Sequence, residues 1–486
     1  MFGIDRDQKL GLDESKKRRI LGEHLTPIEI FENFIFPEIK SILNNYVWVD
    51  LFAGKGNLIL PILKYIPYEK RIEFFKNHIY LFDIQDDLVQ SAIENAMQYG
   101  IPRTIAENNI MKRDTIENYP DFLLKLNWPI YHITNPPYLY IGYIKKHKET
   151  QSYLKYFQNS YSGYQDLYQL ALINDLKFGV QNMIYIIPSN FLFGSSVSNK
   201  IRDDFLKYYY IKKALIFEKE IFEFTGTNVV ICFFERKLKP STEYLSFQGI
   251  KINSEMKEKK YFLSPENHYR AGNEFNDFVT RYKSGLPLSV SYYLTKEEVE
   301  ANYGEHELDV IDANDFDGKQ YSHKKIYVNG ELYDKIKSNI LFVKTVDSGS
   351  WEGRVGLYVI KDVFNADGIL VSKSKYRTHP IQIFLEPKID YNTQIILMKY
   401  FNIVLEYFRE LTDSEFMTTY KYSKSEYTRK YLGLTQAEKL IKTFPWLELN
   451  NKEKLVFKEL IIQNRKLDII KFIKDRNSMK VLEDWD

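Results

Sequence analysis

The residues of this chain best suited to chemistry are Asn135, Pro136, Pro137 and Tyr138, which follow the apolar run WPIYHI at the mouth of a predicted strand. Two consecutive prolines fix two φ angles and remove two backbone donors, so the segment cannot continue a sheet. An amide oxygen and a backbone carbonyl can accept both hydrogens of a planar amino group, and an aromatic ring can stack on its plane. The tetrapeptide is therefore a candidate receptor for the exocyclic amino group of a nucleobase.

A second candidate site lies where the run YVWVDLF ends in AGKGN. Gly54 and Gly56 allow a tight turn and a close approach of a ligand to the backbone, as in half of a dinucleotide fingerprint. Asp50 before the glycines disfavours pyrophosphate and suits a positively charged ligand, such as the sulfonium and ammonium of S-adenosylmethionine. No Ser or Thr follows the lysine of this loop, so we do not expect a P-loop for nucleoside triphosphates.

Two further aspartates are predicted to follow the next strands. Asp83 closes the run HIYLF, where a carboxylate can bind ribose hydroxyls, although it could instead cap the following helix. Asp114 comes after a weaker third strand, which we place near residues 103–106. Its carboxylate could receive the amino group of an adenine.

Apolar runs that alternate with helical patterns between about residues 46 and 236 predict the parallel α/β sheet that would position these side chains. The predicted strands are 46–52, 78–82, 103–106, 128–133, 182–188, 214–217 and 228–234, with helices at 86–99 and 164–178. The short gap before the last strand favours an antiparallel hairpin at the edge of the sheet.

Beyond about residue 240 the pattern changes to short alternating stretches with turn signals, followed by helical segments at 393–411 and 452–474. The run KEKK at 257–260 is predicted to be an exposed linker or loop. We therefore expect two domains, an α/β domain in residues 1–240 and an α+β domain in residues 241–486.

Composition limits the class of protein. No run of about eighteen apolar residues is present, so no membrane span is expected, and the charged N-terminus lacks the apolar segment of a signal peptide. The single cysteine, Cys232, excludes an internal disulfide and a cysteine-based zinc site, and it is expected in the core of a strand. The eight histidines form no metal-ligand pattern. We expect a cytoplasmic protein without a metal.

The formal net charge of +2 does not by itself indicate nucleic-acid binding. Basic residues cluster at 16–19 (KKRR) and again at Lys145, Lys146 and Lys148, shortly after the candidate amino receptor. Such runs are commonly solvated surface, but the position of the second cluster favours contact with phosphates.

The order of these motifs resembles the gamma class of DNA adenine-N6 methyltransferases, the modification enzymes of restriction systems. The resemblance covers about residues 20–237 and is carried by TP in GEHLTPIEIFENFI, DLFAGKG, Asp83, Asp114, NPPY, IIPSNFLF and IFEFTGTNVVICFF. It implies a Rossmann-like class I S-adenosylmethionine-dependent methyltransferase domain, followed by a target-recognition domain. Double-stranded DNA is the implied partner, a separately encoded restriction endonuclease is a further one, and we expect a monomer.

The resemblance also implies which residues would hold S-adenosylmethionine. They are Thr26 over the methionine moiety, Asp50, Phe52, Gly54 and Gly56 in the methionine-side loop, Asp83 on the ribose, Ile84 on the adenine ring and Asp114 on the adenine amino group. The match at Asp114 is the loosest, because MKR replaces the apolar residues expected before it.

For the target base, the resemblance implies a direct methyl transfer to adenine N6. The Asn135 side-chain oxygen and the Pro136 carbonyl would accept the two amino hydrogens and localise the nitrogen lone pair towards the methyl group. Tyr138 would stack on the flipped base, and Phe222 or Phe224 would cover its other face.

Other functions share parts of this pattern. Methyltransferases of release-factor glutamine and of RNA guanine N2 also carry NPPY, although the Thr26-Pro27 element and the large C-terminal domain favour DNA. Cytosine-N4 enzymes more often have Ser in place of Asn135. A non-catalytic DNA-binding specificity protein with a degenerate methylase fold is a further alternative, and a fused restriction nuclease is not expected.

Overall fold

A computed structural model provides the structure of the chain. It describes residues 26–194, 196–217, 228–252, 255–347, 353–373, 380–411 and 431–483. Within these ranges the chain forms two compact units, the first ending at Ala271 and the second beginning at Gly272. The first unit continues past residue 240, where the sequence placed a domain boundary, because two more strands join its sheet.

The first unit contains a sheet of nine strands. The strands are β1 (Val47–Asp50), β2 (Ile79–Asp83), β3 (Ile110–Lys112), β4 (Ile130–Thr134), β5 (Asn182–Pro188), β6 (Tyr209–Phe217), β7 (Val229–Arg236), β8 (Leu245–Ile252) and β9 (Met256–Leu263). Their order is β3-β2-β1-β4-β5-β7-β6-β8-β9. The first five are mutually parallel, β7 runs antiparallel to both β5 and β6, and β8 pairs in parallel with β6. The predicted α/β fold with a mostly parallel sheet is confirmed.

Short helices connect these strands. The α-helices are α1 (Ile28–Ile30), α2 (Phe36–Ile39), α3 (Arg71–His78), α4 (Asp86–Gln98), α5 (Arg103–Asn109), α6 (Ile141–Ile144), α7 (Leu167–Phe178), α8 (Asn190–Phe193) and α9 (Ser196–Phe205). A π-helical turn spans Phe31–Ile35, and 3₁₀ segments span Leu43–Asn45, Leu60–Tyr65, Tyr68–Lys70, Asp121–Lys125, Lys148–Phe157, Asn159–Tyr161 and Pro265–Asn267.

Burial explains why the central strands read as continuous apolar runs. All four residues of β1 are buried, and in β5 only the first residue is not. Strands covered by helices on both faces need apolar side chains at every position. By contrast, α4 buries Leu88, Ala92 and Ala96 on one stripe and begins with two aspartates, which the positive end of its dipole favours. Cys232 is buried in β7, as predicted.

The predicted strand near residues 103–106 is wrong, because these residues form α5 and β3 begins only at Ile110. The buried amide of Asn109 ends the helix by donating hydrogen bonds to the carbonyls of Phe75, Lys76 and Ile79. A three-residue edge strand is too short for its periodicity to be recognised in sequence.

The loop predicted at residues 257–260 is also wrong. These residues belong to β9, which pairs antiparallel with β8 from Leu245–Leu263 to Ile252–Met256. Lysines on an edge strand discourage pairing with another chain, so this charge run marks a sheet edge. The β6–β7 pair is antiparallel as predicted, but it lies inside the sheet because β8 extends it.

The second unit mixes strands and helices. Its strands are β10 (Ser289–Tyr292), β11 (Leu294–Thr295), β12 (His306–Phe316), β13 (Tyr321–Val328), β14 (Leu341–Lys344), β15 (Gly356–Val359), β16 (Gly368–Val371) and β17 (Ile381–Glu386). They form two four-stranded sheets with the orders β10-β17-β14-β15 and β11-β16-β12-β13. Its helices are α10 (Glu274–Arg281), α11 (Lys296–Ala301), α12 (Gly330–Ser338), α13 (Ile360–Phe364), α14 (Tyr391–Leu411), α15 (Leu434–Ile441), α16 (Asn451–Ile462) and α17 (Lys466–Glu483).

The helix predicted at 452–474 is in fact the pair α16 and α17. The break contains Asn464, whose φ of 54° lies in the left-handed region that cannot continue an α-helix. Across the described ranges, every helix is too short or too polar to cross a membrane.

Candidate active site

A cleft of about 190 Å³ opens in the first unit, at the edge where the parallel strands β1, β2, β3 and β4 end. The predicted site residues that line it are Thr26, Asp50, Phe52, Gly54, Asp83, Ile84, Asp114, Asn135 and Pro137. The carboxyl ends of adjacent parallel strands meet at one edge of a sheet, which is why residues so distant in sequence come together.

Asp50 ends β1 with its side chain buried. Its Oδ1 accepts hydrogen bonds from the Phe52 amide at 3.0 Å and from the Thr134 hydroxyl at 2.6 Å. Burial raises the pKa of Asp50 to about 6, and its two hydrogen bonds oppose this shift only in part. None of the residues that the structure describes donates to Oδ2, so one carboxylate oxygen is left for a ligand.

The glycine loop after β1 is tied to the end of β2. Gly54 has a φ of 53°, and its amide donates to Oδ2 of Asp83 at 2.9 Å. Gly56 has a φ of 80°, and a Cβ at this position would lie 2.6 Å from Cδ1 of Leu60. Gly56 is therefore required by the turn itself, and it does not line the cleft.

Asp83 ends β2 and lines the cleft, as expected for a strand-end residue, and its ribose-binding role stays a prediction. Its Oδ1 accepts the Gln85 amide at 3.0 Å, and burial raises its pKa above the ordinary value. The following helix begins at Asp86, so Asp83 does not start it. Ile84 is 48% exposed and lines the cleft, which leaves an apolar surface available to a flat ring.

Asp114 lines the cleft although the strand before it was misplaced in the sequence. Its Oδ2 accepts a hydrogen bond from the Tyr156 hydroxyl at 2.6 Å, and Nζ of Lys155 lies 3.9 Å from the same oxygen. Burial and the Asp114 carboxylate together raise the pKa of Tyr156. The Arg113 amide donates to the Asp83 carbonyl at 2.8 Å, which fixes this strand end against β2.

Asn135 is held from both ends of its amide. Its Nδ2 donates to the Thr26 hydroxyl at 3.1 Å, and its Oδ1 accepts from the Tyr138 hydroxyl. That hydroxyl also lies 2.8 Å from the Ile186 carbonyl on β5. The Thr26 carbonyl in turn accepts from Nδ2 of Asn57, in the glycine loop, at 2.8 Å.

Not every predicted site residue reaches the cleft. Pro136 is buried and Tyr138 is half-buried, and neither lines the cleft. Phe222 and Phe224 lie outside the described residues, so their stacking role stays a prediction.

A buried polar network beneath the cleft was not recognised in the sequence. Nε2 of His132 accepts the Leu51 amide at 3.2 Å, and its Nδ1 lies 2.5 Å from Oδ2 of Asp175. The hydroxyls of Tyr185 and Tyr119 also donate to this carboxylate, at 2.6 and 3.1 Å. Since Nε2 accepts, the ring carries its hydrogen on Nδ1 and positions the backbone that follows Asp50.

Tyr153 and Tyr156 also line the cleft, and sequence reasoning missed both. They lie on the 3₁₀ segment Lys148–Phe157, with ring centroids 6.0 Å apart. Two tyrosines three positions apart are common in any helical segment, so the sequence offered no indication that this pair lines the cleft. Within the described ranges, no three side chains among His, Cys, Asp and Glu gather into a metal site.

Taken with the strand order, these strand-end residues define a Rossmann-like class I methyltransferase domain, as predicted. The chain belongs to the N-6 DNA methylase family, whose model matches residues 13–340. No curated protein sequence matches the chain.

Several solved structures are similar in part. The Type IIL restriction-modification enzyme MmeI, in complex with DNA, is 15% identical over 92% of this chain and 71% of that chain, with a TM-score of 0.49. The type I restriction enzyme EcoKI M protein is 15% identical over 49% of this chain and 50% of that chain, with a TM-score of 0.31. A type I methyltransferase subunit from Streptococcus thermophilus is 16% identical over 48% of each chain, with a TM-score of 0.33. The chain thus spans about half the length of the last two.

Proposed function

We propose that this protein transfers a methyl group from S-adenosylmethionine to the N6 amino group of an adenine in duplex DNA, as the modification enzyme of a restriction-modification system. The observation that carries the proposal is one cleft lined by the strand-end carboxylates Asp50, Asp83 and Asp114 and by the amide of Asn135. Membership of the N-6 DNA methylase family supports the same reaction.

The residues of the cleft fit S-adenosylmethionine. When bound, this cofactor would supply an electrophilic methyl group on a positively charged sulfonium. Asp50 offers a buried carboxylate oxygen to its ammonium, and a cation there would favour the ionised form of a group whose pKa burial has raised. Asp83 can accept from ribose hydroxyls with its remaining lone pairs, and Ile84 can pack on the adenine ring. We call Asp50, Asp83 and the glycine loop the cofactor half.

Asn135 and Tyr138 form what we call the base half. Thr26, which is proposed to lie over the methionine moiety of the cofactor, joins the two halves through its bonds to Asn135 and to Asn57. The Asn135 side-chain oxygen, which accepts from the Tyr138 hydroxyl, would accept one amino hydrogen of adenine. The Pro136 carbonyl would accept the second amino hydrogen. Two such bonds favour a pyramidal nitrogen, which localises its lone pair for attack on the methyl group. As the nitrogen–carbon bond forms, the bond from the methyl carbon to sulfur would break and S-adenosylhomocysteine would leave. The nitrogen would then lose one of its two hydrogens as a proton to solvent, so no proton needs to leave first and positioning dominates the reaction.

The target adenine must leave the duplex to reach these acceptors. Unstacking costs a few kcal/mol, and stacking on aromatic side chains offsets that cost. Tyr138 is proposed as one stacking surface, and Phe222 or Phe224 as the other. The position of the Tyr138 hydroxyl is restrained by two acceptors, Oδ1 of Asn135 and the Ile186 carbonyl, which lies 2.8 Å away.

The test is to offer tritiated S-adenosylmethionine with duplex DNA, tRNA and a release factor in parallel, and then to analyse the labelled nucleosides. We expect label in DNA, recovered as N6-methyladenine. Label in RNA or in the release factor alone would show a different amino-group methyltransferase. Cofactor binding without label in any acceptor would support a non-catalytic specificity protein.

A further inference from the structure

Immediately after the NPPY segment the chain forms a loop, residues 142–164, whose two ends are hydrogen-bonded to each other. Where the two ends of the loop meet, Oδ1 of Asp166 accepts the Leu139 amide at 2.9 Å, and the backbone of Asp166 forms an antiparallel bridge with Tyr140. The Ile141 amide donates to the Gln165 carbonyl at 2.9 Å. The loop at 142–164 is therefore held against the candidate base half at both of its ends.

Residues 145–148, which we call the basic turn, project from this loop. Lys145, Lys146 and Lys148 are exposed, and among the described residues none has an acidic side chain within ion-pair distance. The neighbouring Glu149 lies 3.7 Å from Nδ1 of His147. Three uncompensated positive charges thus stand within four consecutive residues beside the candidate site.

Packing beneath the basic turn fixes its shape. Thr150 is fully buried, and its hydroxyl donates to the His147 carbonyl at 2.9 Å and lies 3.3 Å from the Ile144 carbonyl. The His147 ring stacks on Tyr143 with centroids 3.9 Å apart. Farther along the loop, Tyr156 donates to Asp114 of the cleft. The three lysines therefore project from a structured loop that begins next to Tyr138 and contacts Asp114 of the cleft.

We propose that the basic turn binds the phosphate backbone of duplex DNA beside the target adenine. This inference rests on the proposed function and identifies a surface for its substrate. Lysine is a flexible point charge that contacts phosphate without reading sequence, so the turn would hold the duplex in register while other residues select the site. Each phosphate that a lysine contacts releases condensed counterions. This makes the slope of log K against log salt steeper by about 0.9 per contact.

The experiment compares two variants with equal loss of charge. One carries Lys145→Gln, Lys146→Gln and Lys148→Gln. The matched control carries Lys70→Gln, Lys76→Gln and Lys125→Gln, which are exposed and do not line the cleft. Fluorescence anisotropy with a labelled duplex of mixed sequence, and separately with a single-stranded RNA, gives log K across a range of NaCl concentrations.

For duplex DNA, we expect the slope of log K against log salt to become shallower by about 2 to 3 in the basic-turn variant. Its affinity at moderate salt should fall at least about tenfold. The control should keep the wild-type slope. S-adenosylmethionine affinity should be unchanged in both variants. An unchanged slope in the basic-turn variant, or equal losses in the control, would overturn the inference and leave the proposed function standing. A larger loss on RNA than on DNA would overturn the choice of DNA. Absence of salt-dependent duplex binding by the wild type would overturn the proposed function as well.

Discussion

The cofactor half and the base half of the proposed site are held together in different ways. In the cofactor half, Asp50 and Asp83 together accept three hydrogen bonds from backbone amides, and one side-chain hydroxyl, that of Thr134, also donates to Asp50. In the base half, Asn135 is bound on one side by the Thr26 hydroxyl and on the other by the Tyr138 hydroxyl. A hydrogen bond from a backbone amide remains when the donor residue is substituted, whereas a hydrogen bond between two side chains is lost when either residue is substituted. A single substitution in the base half should therefore lower the rate of methyl transfer strongly. A substitution in the cofactor half should instead weaken the binding of S-adenosylmethionine.

Asn135→Ala should give the largest effect. Removing the amide takes away an acceptor that acts on the reacting nitrogen, so the rate of methyl transfer should fall by at least about 10²–10³-fold. S-adenosylmethionine affinity should stay within a few-fold of wild type, because the cofactor half does not depend on this side chain. Filter-binding of tritium in DNA and calorimetry of cofactor binding measure the two quantities separately. Near-normal methylation by this variant would refute the role of the base half.

Asp50→Asn should affect the cofactor half alone. Loss of a charge-assisted contact of about 1.5–3 kcal/mol corresponds to roughly 10–100-fold weaker binding of S-adenosylmethionine. Thermal stability should not fall, because burial already disfavours the ionised form of this side chain. Asp87→Asn removes an exposed carboxylate outside the cleft lining and serves as the control in the same calorimetric titration. Equal weakening in both variants would contradict a specific contact at Asp50.

The pH dependence of cofactor binding should follow Asp50. Its pKa is about 6 in the ligand-free protein, and a cationic ligand prefers the carboxylate, so affinity should be constant near pH 7–8 and fall as the pH drops through 6. Below that value the loss should approach about tenfold per pH unit. The raised pKa of Asp83 adds a loss of the same sign. The affinity of the Asp50→Asn variant for S-adenosylmethionine should depend less on pH than that of the wild type. If the two proteins showed the same pH dependence, a group other than Asp50 would be responsible for it.

Tyr156→Phe should give the smallest effect. Its hydroxyl fixes the Asp114 carboxylate that is proposed to bind the cofactor adenine, and one hydrogen bond of about 1 kcal/mol corresponds to roughly fivefold in affinity. Tyr164→Phe is a matched control, because it removes a similar bond to Asp204 away from the cleft lining. Calorimetry with S-adenosylmethionine should separate the two variants. If Tyr164→Phe weakened binding as much, the effect would be a general loosening of the loop.

The sequence predicted the parts of this site that depend on local pattern. A strand that ends in an aspartate or in two prolines is visible as an apolar run that stops, so Asp50, Asp83 and Asn135 were assigned to strand ends correctly. The network of His132 and Asp175 was missed, because these residues meet only when β4 packs against α7. Tyr156 was missed for the same reason, since its partner lies 42 positions away.

Position 26 offers a route for gradual change during evolution. Thr26 uses its main-chain carbonyl to hold the glycine loop through Asn57, but only its hydroxyl to hold Asn135. A side-chain replacement at this position can therefore change how the Asn135 amide, the proposed acceptor of the target base, is held, while the main-chain contact with the loop persists. If the proposed function holds, selection could in this way adjust the rate of methyl transfer without first changing the surface proposed to bind S-adenosylmethionine.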